Sequence, residues 1–214
     1  MATKKKSSST SSLIITCVAV LLAIAAVVFV IITFSGNSGN QPASTGDTTN
    51  APAVNVSDEV MNEMSQGAYD LLQKNYKIYQ YFTYGMTVKP EPYGNKPEDG
   101  FYTCDNADFD SFDKFSEYVR SVYTEELAQK LLTDPFGSGP VYGNDNGALG
   151  LSADFTASTE EGNSWADVKY VCTALSETEC SIAITLKDSA GADVEKTVKM
   201  LKTDAGWRLE EMIG

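Results

Sequence analysis

Leu13 to Phe34 reads LIITCVAVLLAIAAVVFVIITF, 22 residues without a single charge. As a helix rising about 1.5 Å per residue, it reaches roughly 33 Å, enough for a hydrocarbon core of about 30 Å. Lys4, Lys5 and Lys6 precede it, and no lysine or arginine follows until Lys74. Cytoplasmic flanks carry the excess of cations, so residues 1–12 are expected in the cytoplasm and the C-terminus outside the cell membrane, in a single pass. A cleaved signal peptide is the rival reading, with Ala23-Ile-Ala25 as its cleavage site. That tripeptide lies inside the apolar run, whereas a signal peptide has a shorter apolar core followed by a polar cleavage region. Cys17 reads as a small membrane-buried residue.

Residues 35–56, SGNSGNQPASTGDTTNAPAVNV, hold almost nothing to bury and are expected to form a disordered linker. A flexible chain of that length has a mean span of roughly 25 Å. Residues 57–214 then have the length of one domain with a real core. The first acid of the chain is Asp47, so thirteen of the 16 cations stand against all 29 acids beyond it, a net charge of −16. No basic footprint for nucleic acid exists there. The chain also contains no histidine, which excludes a Ser-His-Asp triad, a Cys-His dyad and a His-containing zinc site.

Ser57 is placed to cap a helix, with Asp58 and Glu59 in its first turn. Val60, Met61, Met64, Ala68, Leu71, Leu72, Tyr76 and Tyr79 recur at helical spacing and predict a helix over 58–80. Residues 81–104, broken by prolines and glycines, read as extended. Ser111 is expected to cap a second helix through Arg120, and Thr124 a third over Glu125 to Leu132, ended before Pro135. The pattern then changes to strands. A hairpin centred near Ser176 sets Val168 opposite Ile184, Tyr170 opposite Ile182 and Cys172 opposite Cys180, with all six on one face. Strands over 193–202 and 207–213 follow, joined at Asp204-Ala205-Gly206, and Asn146-Gly147 marks a further hairpin upstream. The expected fold class is α+β: after the transmembrane helix, helices packed on a curved antiparallel sheet that ends in a β-meander.

The hairpin brings Cys172 and Cys180 within reach of a disulfide, which an oxidising exterior permits; two buried thiols are the alternative. Cys104 has no histidine base and reads as structural. Glu98, Asp99, Asp105, Asp108, Asp110 and Asp113 form a run of six acids with no base among them, interleaved with Phe101, Tyr102, Phe109 and Phe112. Such a stretch suits docking into a basic, aromatic-lined cleft, with acids steering the approach. We take Glu98, Asp99, Tyr102, Asp105, Asp108 and Asp110 as candidate partner-binding residues. The alternative is a solvated acidic loop leading to a helix N-terminus. Asp108-Phe109-Asp110 offers alternating carboxylates, but Phe112 stands where a calcium ligand is needed and no glycine follows. No metal and no cofactor is expected. Gly137-Ser-Gly139-Pro-Val-Tyr-Gly143 lacks the lysine and preceding strand of a phosphate loop and reads as a turn-rich connection. Tyr76, Tyr79, Tyr81, Phe82 and Tyr84 form an aromatic cluster, read as the cap of a core or, if exposed, as a platform for sugars or peptides.

Three runs carry a resemblance. They are Phe112–Leu132, where a helix ends in Tyr123-Thr124 and the threonine opens the next; Asp145-Asn-Gly147-Ala-Leu149; and Gly206-Trp-Arg-Leu-Glu-Glu-Met-Ile213. Together they resemble the extracytoplasmic D,L-endopeptidase inhibitors of Gram-positive bacteria (the IseA-like family) over roughly residues 57–214. More loosely the chain is similar to the cone-shaped α+β fold of the nuclear-transport-factor type. The family likeness implies a non-catalytic domain that occupies the substrate cleft of a cell-wall cysteine endopeptidase. Two departures stand out: this chain reads as tethered rather than secreted, and Gly150 follows Leu149 where an aromatic is expected. The resemblance assigns no individual inhibitory residue. Two other functions remain open, a small-ligand-binding or carboxylate-based enzyme in the conical fold, and a structural spacer or assembly domain.

Overall fold

The computed structural model describes residues 54–90, 97 and 100–214. The 1–12 tail, the 13–34 segment and nearly all of 35–56 lie outside them. Among the described residues no helix is long and apolar enough to cross a membrane.

The domain is α+β. Helix α1 spans Asp58–Tyr84, 27 residues or about 40 Å. Ser57 caps it, its hydroxyl accepting from the Val60 amide at 3.3 Å. Its inward face is Met64, Ala68, Leu71, Leu72, Asn75, Ile78 and Phe82, all buried. Each large apolar side chain of that set contributes about 1.5–3 kcal/mol by leaving water. The helix therefore continues through Tyr81–Tyr84, which the proline-rich sequence after them suggested would be extended; burying Phe82 outweighs the nearby breakers. Within 81–104 the only strand described is β1, Phe101–Thr103. Helix α2 follows at Phe112–Arg120 and α3 at Glu125–Thr133. Ser111 caps α2 through the Lys114 amide at 3.4 Å. Thr124 holds the capping position of α3 in extended backbone but makes no side-chain bond there.

The strands form two antiparallel, curled sheets. In the first, β3 (Ala148–Ser152) lies between β1 and β2 (Tyr142–Asp145). Asn146 and Gly147 make the β2–β3 turn with φ of 50° and 92°, as their sequence predicts. Gly143 and Gly150 pair across it, and Phe101 lies against both: its ring stands where a Cβ on Gly143 would be, and its own Cβ lies 2.7 Å from where a Cβ on Gly150 would stand. The second sheet is the expected meander: β4 (Ser164–Ala174), β5 (Glu179–Lys187), β6 (Asp193–Thr203) and β7 (Gly206–Leu209) pair in chain order. Gly206 takes the expected positive φ, 102°.

Two expectations need correction. The β4–β5 register is shifted by two residues: Tyr170 faces Ile184, Cys172 faces Ile182, and Cys180 faces Ala174. A shift of two preserves which face a side chain takes, so Cys180, Ile182 and Ile184 are buried as predicted. It does change partners, so Cys172 and Cys180 are diagonal neighbours rather than opposite ones. Both are thiols in this structure. Their mutual hydrogen bond lowers Cys180 and, with burial, raises Cys172. Second, β7 stops at Leu209, and Ile213 reaches the core by another route. Asn75, wholly buried, donates to the Ile213 carbonyl at 2.9 Å and accepts from its amide at 3.0 Å. The Tyr123 hydroxyl donates to the same Asn75 oxygen at 2.8 Å. Those bonds satisfy a polar side chain in the middle of an apolar face and tie α1 to the chain end.

Candidate functional site

The acidic stretch comes first, because sequence singled it out. Glu98 and Asp99 lie outside the described residues. Tyr102 sits in β1, half-buried, and Asp105 is exposed. Asp108 and Asp110 are exposed but partnered: Lys77 of α1 meets Asp108 at 2.6 Å, and Lys114 meets Asp110 at 2.6 Å. The hydrogen bond from Lys77 holds Asp108 below the usual carboxylate range, and that from Lys114 does the same for Asp110. Burial acts to lower Lys77, but the Asp108 carboxylate outweighs it and leaves the amine raised. The Asn106 side chain accepts from the amides of Asp108 and Phe109, at 2.8 and 3.2 Å, and turns the loop inward. Phe109 is consequently 6% exposed, packed at 5.4 Å from Phe115 and 5.1 Å from Tyr118. The structure brings Lys77, Tyr81, Asn106 and Asp108 together and sends the aromatics of the stretch inward.

A different surface has the geometry of a binding site. Where α1 ends, a groove of about 510 Å³ opens between Phe82, the loop after α3, and the segment after β3. Phe82, Val141 and Phe155 line its apolar part; Pro140, Asp154 and Phe136 also border it. Two local devices shape it. Gly85 ends α1 with φ of 78°, and the Phe155 ring packs 2.8 Å from where its Cβ would be, so only glycine lets that ring close over the helix end. Across the groove, Gly137 and Gly139 take φ of 79° and 93°, and Asp134 accepts from the Gly139 amide at 2.9 Å. That tight turn holds the backbone while leaving Phe136 outside, 57% exposed. The Ser158 amide donates to the Thr83 carbonyl at 2.8 Å and fixes the far rim. Phe136, just before the turn-rich Gly137–Gly143 connection, was not singled out in the sequence. The signal was present: an aromatic between Pro135 and Gly137, in a turn too short to bury it.

No protein-family model matches the chain, and no curated protein is significantly similar to it. The chain's own chemistry is left to speak. Among the described residues no three histidine, cysteine, aspartate or glutamate side chains gather as a metal site would require. Cys104 is buried beside Asp145, and burial first, then that charge, pushes its thiol up to about 12. A thiol so raised is a poor nucleophile. Glu63, Asp108, Asp110 and Asp193 are all lowered, each chiefly by a lysine hydrogen bond, and none of them lines the groove.

Proposed function

We propose that residues 57–214 form a non-catalytic contact domain, held outside the cell membrane by the 13–34 span, and that its groove docks a cationic segment of a wall-associated protein. The observation that carries this reading is Phe136, an aromatic held in solvent at the edge of an apolar groove. A rigid exposed aromatic beside a concave apolar surface is the usual anchor of a protein contact. Two further features support it. The outer domain's net charge favours a basic partner and speeds its approach. The groove also lies at the C-terminal end of α1, a helix length from Val54, where the described chain begins with an amide bonded to the Ala174 carbonyl at 3.2 Å. The groove and Val54 thus stand at opposite ends of α1.

The IseA-like resemblance implies the partner class: a cell-wall D,L-endopeptidase, with Phe136 at the groove edge entering its substrate cleft and a cationic segment of the cleft rim docking in the groove, which restrains wall cleavage. A carboxylate enzyme, the rival reading, needs two close acids in its pocket, and Asp154 is the one acid among the residues lining the groove.

The test uses the full chain in detergent and purified wall D,L-endopeptidases, with binding followed by interferometry and hydrolysis by release of muropeptides. Micromolar or tighter binding, weakened by salt, with turnover suppressed, is the expected result. Phe136→Ala is expected to weaken it by about tenfold or more, as central aromatic anchors do. Absence of binding to every enzyme at about 10 μM, a threshold near 7 kcal/mol of affinity, removes the endopeptidase reading.

A further inference from the structure

The aromatic cluster at the end of α1 does not act as one unit. Phe82 is core, and Tyr81 turns toward Asp108 and Asn106. Tyr76, Tyr79 and Tyr84 face another way, into a second cleft of about 290 Å³ whose opposite wall includes Glu161, Gly162 and Asn163. We propose that this cleft binds a neutral oligosaccharide, the Tyr76 and Tyr84 faces stacking on sugar rings and the amide and carboxylate groups taking their hydroxyls. The site is separate from the groove and does not depend on the groove's partner.

Three observations carry it. First, the rings are fixed before any ligand arrives. Tyr76 stacks on Trp165 with centroids 5.2 Å apart and planes 26° from parallel, and its hydroxyl accepts from the Gln80 amide at 2.7 Å. Tyr84 accepts from the Gly162 amide at 2.9 Å and donates to the Glu160 carbonyl at 3.2 Å. Gly162 is needed for that approach: a Cβ there would stand 2.8 Å from the Tyr79 hydroxyl and 3.0 Å from that of Tyr84. Prealigned rings bind without a further ordering cost. Second, the chemistry suits sugars. The electron-rich face of a tyrosine attracts the polarised C–H groups of a pyranose. Asn163 donates through its Nδ2 to the Gly214 carbonyl at 3.1 Å, which leaves its oxygen as an acceptor. Gln80 and Glu161 add further acceptors for hydroxyl protons. No cation is among the lining residues, and Lys196 nearby is engaged by the Gly214 oxygen that Asn163 also meets, so the lining itself favours an uncharged chain. Third, the wall behind Tyr76 holds the Trp165 indole N–H, buried and, among the described residues, the one buried side-chain polar atom without a hydrogen-bond partner. An indole in that position also reports on any change at Tyr76.

The full chain, solubilised in a phosphocholine detergent because glucoside and maltoside headgroups present the chemistry in question, is titrated with chitotetraose by calorimetry and by tryptophan emission. The expected result is saturable binding with a Kd of about 1 mM. Tyr84→Ala and, separately, Asn163→Ala are expected to weaken it by about tenfold, a loss of one anchoring contact. Phe136→Ala leaves it unchanged, which separates this site from the groove. Both altered positions are solvent-accessible, and circular dichroism confirms folding; if one variant unfolds, the other decides. A titration without saturation up to about 10 mM overturns the proposal, since such binding falls below about 3 kcal/mol. So does equal affinity in both variants, or tighter binding of a polyuronate than of chitotetraose.

Discussion

Two loops of this domain each carry one phenylalanine among polar residues, and they treat it in opposite ways. In 105–110, between β1 and α2, Phe109 is 6% exposed; in 134–140, after α3, Phe136 is 57% exposed. The difference lies in what holds each backbone. The first loop is held by side chains that reach back into the domain: Asn106 accepts two loop amides and Asp108 meets Lys77, whose amine also lies 5.5 Å from the Phe109 ring centre. Closing those bonds carries the ring inward. The second is held within itself, by glycines of positive φ and the bond from the Gly139 amide to Asp134. A loop that satisfies its own backbone is free to leave an aromatic outside. Here the acidic stretch meets lysines of its own domain and buries Phe109, while a short glycine-proline turn leaves Phe136 in solvent.

The comparison breaks most readily at the two rings. Phe109→Ala is expected to cost about 3–5 kcal/mol, the range for truncating a buried phenylalanine. Phe136→Ala is expected to stay within about 0.5 kcal/mol of the parent, as surface changes do. Urea unfolding of the two variants checks both, and comparable losses would mean that Phe136 also supports the fold. Gly85→Ala sharpens the point from the groove's other side. It forces a side chain into backbone that essentially only glycine adopts, against the Phe155 ring, and is expected to cost about 1–3 kcal/mol. Groove binding should fall with it, whereas Gly137→Ala, with open space around it, meets only the backbone term and leaves Phe155 in place.

Much of this architecture was legible in the residues. Cap residues, helical spacing and the two glycine turns gave three helices and the meander, because those signals are local. What escaped was set by distant partners. The β4–β5 register depends on which hairpin turn closes best, and alternation alone cannot tell a shift of two from none. Tyr81 to Tyr84 stay helical because Phe82 packs against Phe115 and Tyr142 from later elements, at centroid distances of 6.1 and 5.5 Å. Asn75 drew no reading from the helical spacing; only Tyr123 and Ile213, far along the chain, give it a purpose. The acidic stretch was visible as charge, but the lysines that meet it were not visible as its partners.

The smallest expected effect concerns that pairing and decides what shapes the first loop. Asp108 is lowered by the Lys77 hydrogen bond, so its ionised form is favoured in the folded state. A group with a depressed folded value adds stability that is present above its unfolded value, near 3.9, and disappears as pH falls through the folded value. Asp108→Asn should therefore lower Tm slightly at neutral pH and make no difference once pH has fallen through the parent carboxylate's lowered folded value. Both partners are substantially exposed, at 36% and 54% of their side-chain surface, so added salt should shrink the neutral-pH difference. Thermal unfolding across pH, with and without salt, reads this directly. If Asp108→Asn destabilised as much as Phe109→Ala and salt shrank that loss in step, the Asn106 and Phe109 contacts would be followers of the ion pair. The loop would then owe its inward turn to charge, and the contrast with the self-held turn around Phe136 would rest on electrostatics rather than on where the backbone amides find their acceptors.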